Sequence, residues 1–298
     1  MRNIESFVFF DIETTGLPWQ EKNRTKITEL SFIAASRKDI LQTKHGEIPS
    51  VSKLSLAFNP QMPINPMAGK MTGLSNELLQ YSPTFDKKIA TILSFLQDLS
   101  KPVCLVAHNG NKFDYKIILA EFKDAKSNLP QDLLCIDSLI GFKQILSTNK
   151  PFVQTERKAL KSVTNFNISI DDLLTDDEDQ WPDLNVSTED WEDIDKICDS
   201  MSDMSCEDVT EIQSKMASKT KGIKRKTTSK KEVNSKRQVY TLSAIYKTLL
   251  NREAHNSHRA EGDCLMLLEC VVATKDKFVP WADISCKQLI EIAPLVRS

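Results

Sequence analysis

Phe7-Val8-Phe9-Phe10 is an unbroken aromatic and β-branched run, and the chain follows it at once with Asp11-Ile12-Glu13-Thr14-Thr15-Gly16. Such a run suits a strand buried on both faces in the middle of a sheet, and Gly16-Leu17-Pro18 then stops it. Side chains alternate along a strand, so Asp11 and Glu13 leave the same face. Neighbouring carboxylates repel each other and are costly to desolvate unless a positive charge lies between them. A divalent metal is one such partner. The alternative is that both acids merely cap the strand where it meets water.

With 298 residues, 40% of them hydrophobic, the chain can hold one large or two small domains around a real core. No apolar run approaches the roughly 20 residues of a membrane span. Met1-Arg2-Asn3-Ile4-Glu5 leads straight into the strand without the apolar region of a signal peptide. The expectation is a protein of the cytoplasm or nucleus with no membrane segment. Seven cysteines form no C-x-x-C pair, which points to reduced core thiols rather than zinc or disulfides.

After the opening strand, Ile27 to Ala35 and Val51 to Phe58 read as two more strands, the simplest start being an antiparallel meander. Asn59 to Met67 reads as a proline-rich loop, and Ser75 as the cap of a short helix around Asn76 to Gln80. Thr84 to Leu99 has helical apolar spacing. Pro102 to Ala107 is an apolar strand that turns through His108-Asn109-Gly110-Asn111 into a helix, with Asp114 in its first turn. Leu133 to Asp137 is another buried strand, followed by a helix from Ser138; this strand-helix-strand order implies a parallel half to the sheet. Asp114 at a helix start is equally what the helix dipole favours.

The middle of the chain breaks the pattern. Asp171 to Glu211 holds 17 acidic residues against the single base Lys196, and Lys215 to Arg237 holds ten basic residues against the single acid Glu232. Blocks of like charge favour disorder or an intermittently ordered excursion. The expected division is therefore a globular body in two parts, 1–148 and 238–298, around a charged insertion at 149–237. Trp181, Trp191, Ile194 and Ile197 could form a partner-binding helix, and the run Lys219 to Lys231 could bind phosphates or act as a nuclear address; a solvated linker is the plainer reading. Beyond it, Thr241 caps a helix through Leu250, and Asp263 opens a strongly apolar helix to about Thr274, with a further short helix between Pro280 and Leu295. If His258 belongs to the loop before that helix, it faces the same small volume as Asp263. A histidine on a flexible loop is the bland alternative.

Asp11, Glu13, Asp114 and Asp263 each sit where a strand ends or a helix begins, and His258 precedes the last of them. In this order the chain resembles the DEDDh exonucleases. The first motif is Phe10-Asp11-Ile12-Glu13-Thr14-Thr15-Gly16, the second His108-Asn109-Gly110-Asn111-Lys112-Phe113-Asp114, and the third His258-Arg259-Ala260-Glu261-Gly262-Asp263. Within that superfamily it is most similar to the TREX (three prime repair exonuclease) family, through Gly16-Leu17-Pro18, Met71-Thr72-Gly73-Leu74-Ser75, Cys135-Ile136-Asp137-Ser138 and Tyr240 to Tyr246. The likeness covers roughly 6–147 and 238–292 and departs at the charged insertion.

The resemblance implies an α/β, RNase H-like exonuclease fold with a mixed five-stranded sheet flanked by helices. It implies sequence-independent 3′→5′ removal of nucleotides from DNA ends, single-stranded or frayed duplex, by a homodimer. Two Mg²⁺ ions, for which Mn²⁺ would substitute, would be held by Asp11, Glu13, Asp114 and Asp263, with Asp11 bridging; hard cations want such oxygen ligands. His258 would be the base. Leu17 and Met71 would wedge against the terminal base while Glu13, Thr14 and His258 hold the 3′ end; packing of Leu17 and Met71 into the core is the competing account. Two other functions remain open: an exoribonuclease of the same fold, and a catalytically idle nucleic-acid-binding adaptor that recruits partners through the insertion.

Overall fold

A computed structural model describes residues 3–147, 240–253 and 258–297. The expectations that fall on 148–239, the charged insertion with its aromatic and basic runs, lie outside the described residues. Strand β1 (Ser6–Thr14) is central, with Phe7, Phe9 and Phe10 each 0% exposed. Antiparallel to it runs β2 (Ile27–Ser36), and β3 (Ser52–Ala57) lies outside β2. On the other side, β4 (Val103–Ala107) is parallel to β1, and β5 (Leu134–Asp137) is parallel to β4. The expected mixed five-stranded sheet is present. A two-residue β6 (Lys287–Gln288) adds a sixth member, giving the order β3-β2-β1-β4-β5-β6.

Alternation along β1 divides the core. Phe7 and Phe9 face a layer made by α6 (Ser138–Ser147), α7 (Leu242–Leu250) and α8 (Ala260–Ser285), where Phe142, Ile245, Leu267, Val271 and Phe278 are buried. Val8, Phe10 and Ile12 face α4 (Ile89–Gln97) and α5 (Asp114–Asp124), with Ile92, Leu96, Ile117 and Ile118. Each fully buried large apolar side chain contributes roughly 1.5–3 kcal/mol. Because both faces are apolar, the acids fix the phase of the strand. A slip of one residue would turn Asp11 and Glu13 into the opposite core.

Three helical features differ from the expectation. Arg37–Gln42 forms a short helix, α1, capped by Ser36, whose Oγ accepts from the Asp39 amide at 3.0 Å; six residues are too few to show a period. The proline-rich loop gives way at Pro66 to α2 (Pro66–Thr72), with Asn65 as its cap and Gly73 (φ 71°) closing it; α3 (Asn76–Leu79) follows, capped by Ser75 as expected. Pro66 sits where a helix needs no amide donor, so it starts the helix rather than breaking it. Finally, α8 runs 26 residues, through Pro280, in place of two separate helices. The lost backbone bond is outweighed by burial of Phe278, Val279 and Ala282, and by Asp283, which takes Arg37 at 2.9 and 2.7 Å and the Ile4 amide at 3.1 Å. Among the described residues no helix is long and apolar enough to cross a membrane.

Candidate active site

The carboxyl ends of β1, β4 and β5 lie along one edge of the sheet, and the acids gather there. Asp11 and Glu13 leave β1 on the α8 side, the face of Phe7 and Phe9. Pairing with β2 slips between Glu13 and Thr14: Glu13 stands opposite Glu29, Thr14 opposite Ile27. Such an irregularity bends a strand and re-aims its side chains. Past it, the Thr15 carbonyl accepts the Asn65 amide at 2.7 Å, which ties the start of α2 to the end of β1. The join is close: a Cβ on Gly16 would lie 2.9 Å from Glu21 Oε1, the movable end of a side chain, and 3.2 Å from the Asn65 Cβ. Leu17, which follows this join, is half-buried, and Met71 near the end of α2 is 52% exposed. Met71 is therefore not core packing.

The first turn of α8 is held against β2 by Arg259. Its guanidinium grips the Glu29 carboxylate through two bonds, at 2.9 and 2.7 Å, and the Ala260 amide adds a third at 3.2 Å. From that turn Asp263 reaches β1, and carboxylate oxygens of Asp11, Glu13 and Asp263 lie within 4.8 Å of one another. His258, exposed and at φ 69°, precedes the helix and donates its amide to Asp263 Oδ2 at 3.2 Å. Asp114, 4% exposed, comes from the layer on the other face. It lies outside the group of three, yet it is the neighbouring charge that most perturbs Asp11.

Electrostatics marks this cluster as short of positive charge. Burial first, and then Asp114, Glu13, Asp263 and Glu29, push the Asp11 carboxyl well above its usual range. Burial and the same neighbours raise Glu13 to about 8, with Arg259 pulling the other way. Burial raises Asp114 to about 7, and it raises Asp263 as well, opposed by the His258 amide. Left to themselves, these groups hold protons more tightly than ordinary carboxylates. Converging oxygen donors that resist ionising together fit a hard divalent cation, which would relieve the repulsion at once.

The sequence predicts Asp11, Glu13, Asp114, His258 and Asp263 for this site, and all five lie at this end of the molecule. It did not point to Glu29, a lone acid in an apolar strand, nor to its partner Arg259. A buried glutamate on a central strand was the available signal, because a charge so placed needs a partner. Asp137 was also missed.

A mixed sheet with helices on both faces and acids at the carboxyl ends of its parallel strands defines an RNase H-like nuclease architecture. A family model described as exonuclease (RNase_T) matches residues 8–165, and the chain belongs to that family. It is 38% identical over 144 residues to human three prime repair exonuclease 2, covering 45% of this chain and 60% of that protein. It is also 33% identical over 171 residues to human three-prime repair exonuclease 1, covering 52% and 53%. The chain thus spans little more than half the length of these relatives. The kinship expected from the motifs is what the comparisons find. Escherichia coli exonuclease I, solved with a dT13 oligonucleotide, shares the fold at a TM-score of 0.51 and 13% identity, over 94% of this chain and 43% of that one.

Proposed function

We propose that the chain is a metal-dependent 3′→5′ exodeoxyribonuclease that hydrolyses the terminal phosphodiester of DNA without reading sequence. The observation that carries this reading is the meeting of Asp11, Glu13 and Asp263, from opposite ends of the chain, within 4.8 Å beside Asp114 and His258. Asp11, Glu13, Asp114 and Asp263 would hold two Mg²⁺ ions, and Mn²⁺ in their place. Bound there, the metal supplies positive charge to the phosphate and to the departing 3′ oxygen. The imidazole of His258 takes the proton of the attacking water, and Asp263 steadies its loop by accepting the His258 amide. Leu17 and exposed Met71 flank the terminal base, with Glu13 and Thr14 at the 3′ end.

The relatives' names support DNA repair as the setting, a homodimer is the assembly we expect, and the protein would act in the nucleus or cytoplasm. The 149–237 segment would serve as an insertion that engages a further protein or nucleic-acid partner. A 5′-labelled single-stranded DNA and its RNA counterpart, incubated with Mg²⁺ or EDTA, test the reading. A ladder from the 3′ end of the DNA, abolished by EDTA and by Asp11→Ala, is the expected result. Faster degradation of the RNA would make this an exoribonuclease. Cleavage of neither would leave a binding adaptor.

A further inference from the structure

Asp114 reaches the acid cluster from a turn, residues 108–113, that is fixed from below. Asp137 ends β5 beside Ala107, the last residue of β4. Its Oδ1 accepts the amides of Asn109 at 2.9 Å and Leu139 at 3.1 Å, and its Oδ2 accepts the amide of Asn111 at 3.2 Å. The residue is 6% exposed. Asn109 adopts φ 62°, a left-handed conformation that the turn must compensate. The turn is also packed without slack: a Cβ on Gly110 would come 2.6 Å from the Ala107 Cβ and 2.7 Å from the Tyr115 ring. Tyr115 itself donates to the Ile136 carbonyl at 2.7 Å and accepts the Ala107 amide at 3.0 Å.

A carboxylate so placed is electrostatically awkward, because its charge repels that of Asp114. An asparagine there would keep only the two bonds made to Oδ1 and would turn its own N–H toward the Asn111 amide. Both oxygens are used, on two amides of the turn and one of α6, so geometry explains its presence where charge does not.

We propose that Asp137 is a positioning residue that preorganises the 108–113 turn and thereby delivers the Asp114 carboxylate to the cation site before any cation arrives. The proposal rests on the exonuclease reading. It gives Asp137 no contact with metal or DNA. Its effect passes through Asp114 alone.

The full chain with Asp137→Asn keeps the shape of the side chain but exchanges one acceptor oxygen for an amide. Mn²⁺ binding, read from the electron paramagnetic resonance signal of free Mn²⁺, should weaken by about 10–100-fold, the range typical of residues that support metal ligands. The melting temperature in EDTA should stay within a few degrees of the parent. A mere electrostatic bystander gives the opposite result, unchanged or tighter binding, since the substitution removes negative charge beside Asp114. In an Asp114→Asn background Asp137→Asn should add little, and an additive loss would overturn action through Asp114. Should Asp137→Asn not fold, hydrogen exchange in the unaltered protein decides: the Asn109 and Asn111 amides should be protected without Mn²⁺, and protection that appears only with Mn²⁺ refutes preorganisation. A parent protein that binds no Mn²⁺ at all sinks the exonuclease reading and this proposal with it, an outcome distinct from a variant that binds as the parent does.

Discussion

At φ 69°, His258 holds a backbone conformation that costs a non-glycine residue roughly 1–3 kcal/mol. What holds it there is the bond from its amide to Asp263 Oδ2, so the strain is coupled to an acid of the cluster. Replacing the ring by His258→Ala keeps that amide. Mn²⁺ binding should persist while turnover falls about 10²–10⁴-fold, the usual worth of a general base; steady-state rates beside a Mn²⁺ titration check both halves. Two opposite titrations set the pH response of the metal-free protein. Glu13, raised to about 8, and Asp114, raised to about 7, bind protons more tightly folded than unfolded, so ionising them removes stability as pH climbs from about 4 to 8. His108 works the other way. Its Nε2–H donates to the Tyr240 carbonyl and its Nδ1 accepts from Ser138, both at 3.0 Å, and burial lowers it to about 4, so stability is lost as pH falls from about 6.5 toward 4. Glu13 and Asp114 together outweigh the single imidazole over the window they share, so melting in EDTA should fall from about pH 4.5 to 8, and Mg²⁺ at pH 8 should raise the melting temperature again by about 5 °C in order of magnitude. A melting temperature that rises steadily to pH 8 in EDTA would contradict the sign of the carboxylate shifts.

At the scale of elements, the join of α8 to the sheet decides whether the acids meet. Arg259 grips Glu29 with two bonds, and two residues further on Glu261 takes Lys53 at 2.9 Å and Ser55 at 3.1 Å on β3. The Lys53 pair is exposed and worth little. The Arg259 pair has one buried partner, Glu29, 7% exposed, which stands opposite Glu13. Arg259→Ala should cost about 1.5–3 kcal/mol by leaving Glu29 without its cation. Denaturant unfolding reads that loss, and reduced Mn²⁺ affinity would accompany it as Asp263 drifts from β1. Much of this was legible in sequence. β1, β4 and β5 were plain because buried parallel strands are continuously apolar, and Ser75 and Thr241 announced their helices as caps. The extension of α8 through Pro280 was not, because local rules end a helix at proline and only the burial of Phe278 and the Arg37 tie overrule them. Asp137 escaped notice for a similar reason. The Leu139 amide is only two residues on, but those of Asn109 and Asn111 come to Asp137 only when β4 and β5 pair.

For the whole molecule, the described parts 3–147, 240–253 and 258–297 contribute to one compact unit, with β1 and α8 at its centre. The two parts meet where His108 holds the Tyr240 carbonyl next to Ser138 at the head of α6. A helix of ten residues is about 15 Å long, so the far end of α6 lies within easy reach of Tyr240 for a short link. Deleting Asp171–Lys236 leaves ample chain to bridge that gap, at roughly 3.3 Å per extended residue. The shortened protein should melt within a few degrees of the parent and keep its exonuclease rate on a single-stranded oligonucleotide. An insoluble product would show that the deleted segment is part of the body.

The Arg259–Glu29 clamp joins residues 230 positions apart, and Asp263 lies beyond it. During synthesis at about 5–20 residues per second, roughly 10–50 s separate the appearance of Glu29 from that of Arg259. Throughout that interval the nascent chain carries Asp11 and Glu13 but has no Asp263 to complete them. On the exonuclease reading the acid site therefore stays incomplete on the ribosome until α8 has been made and docks against β2.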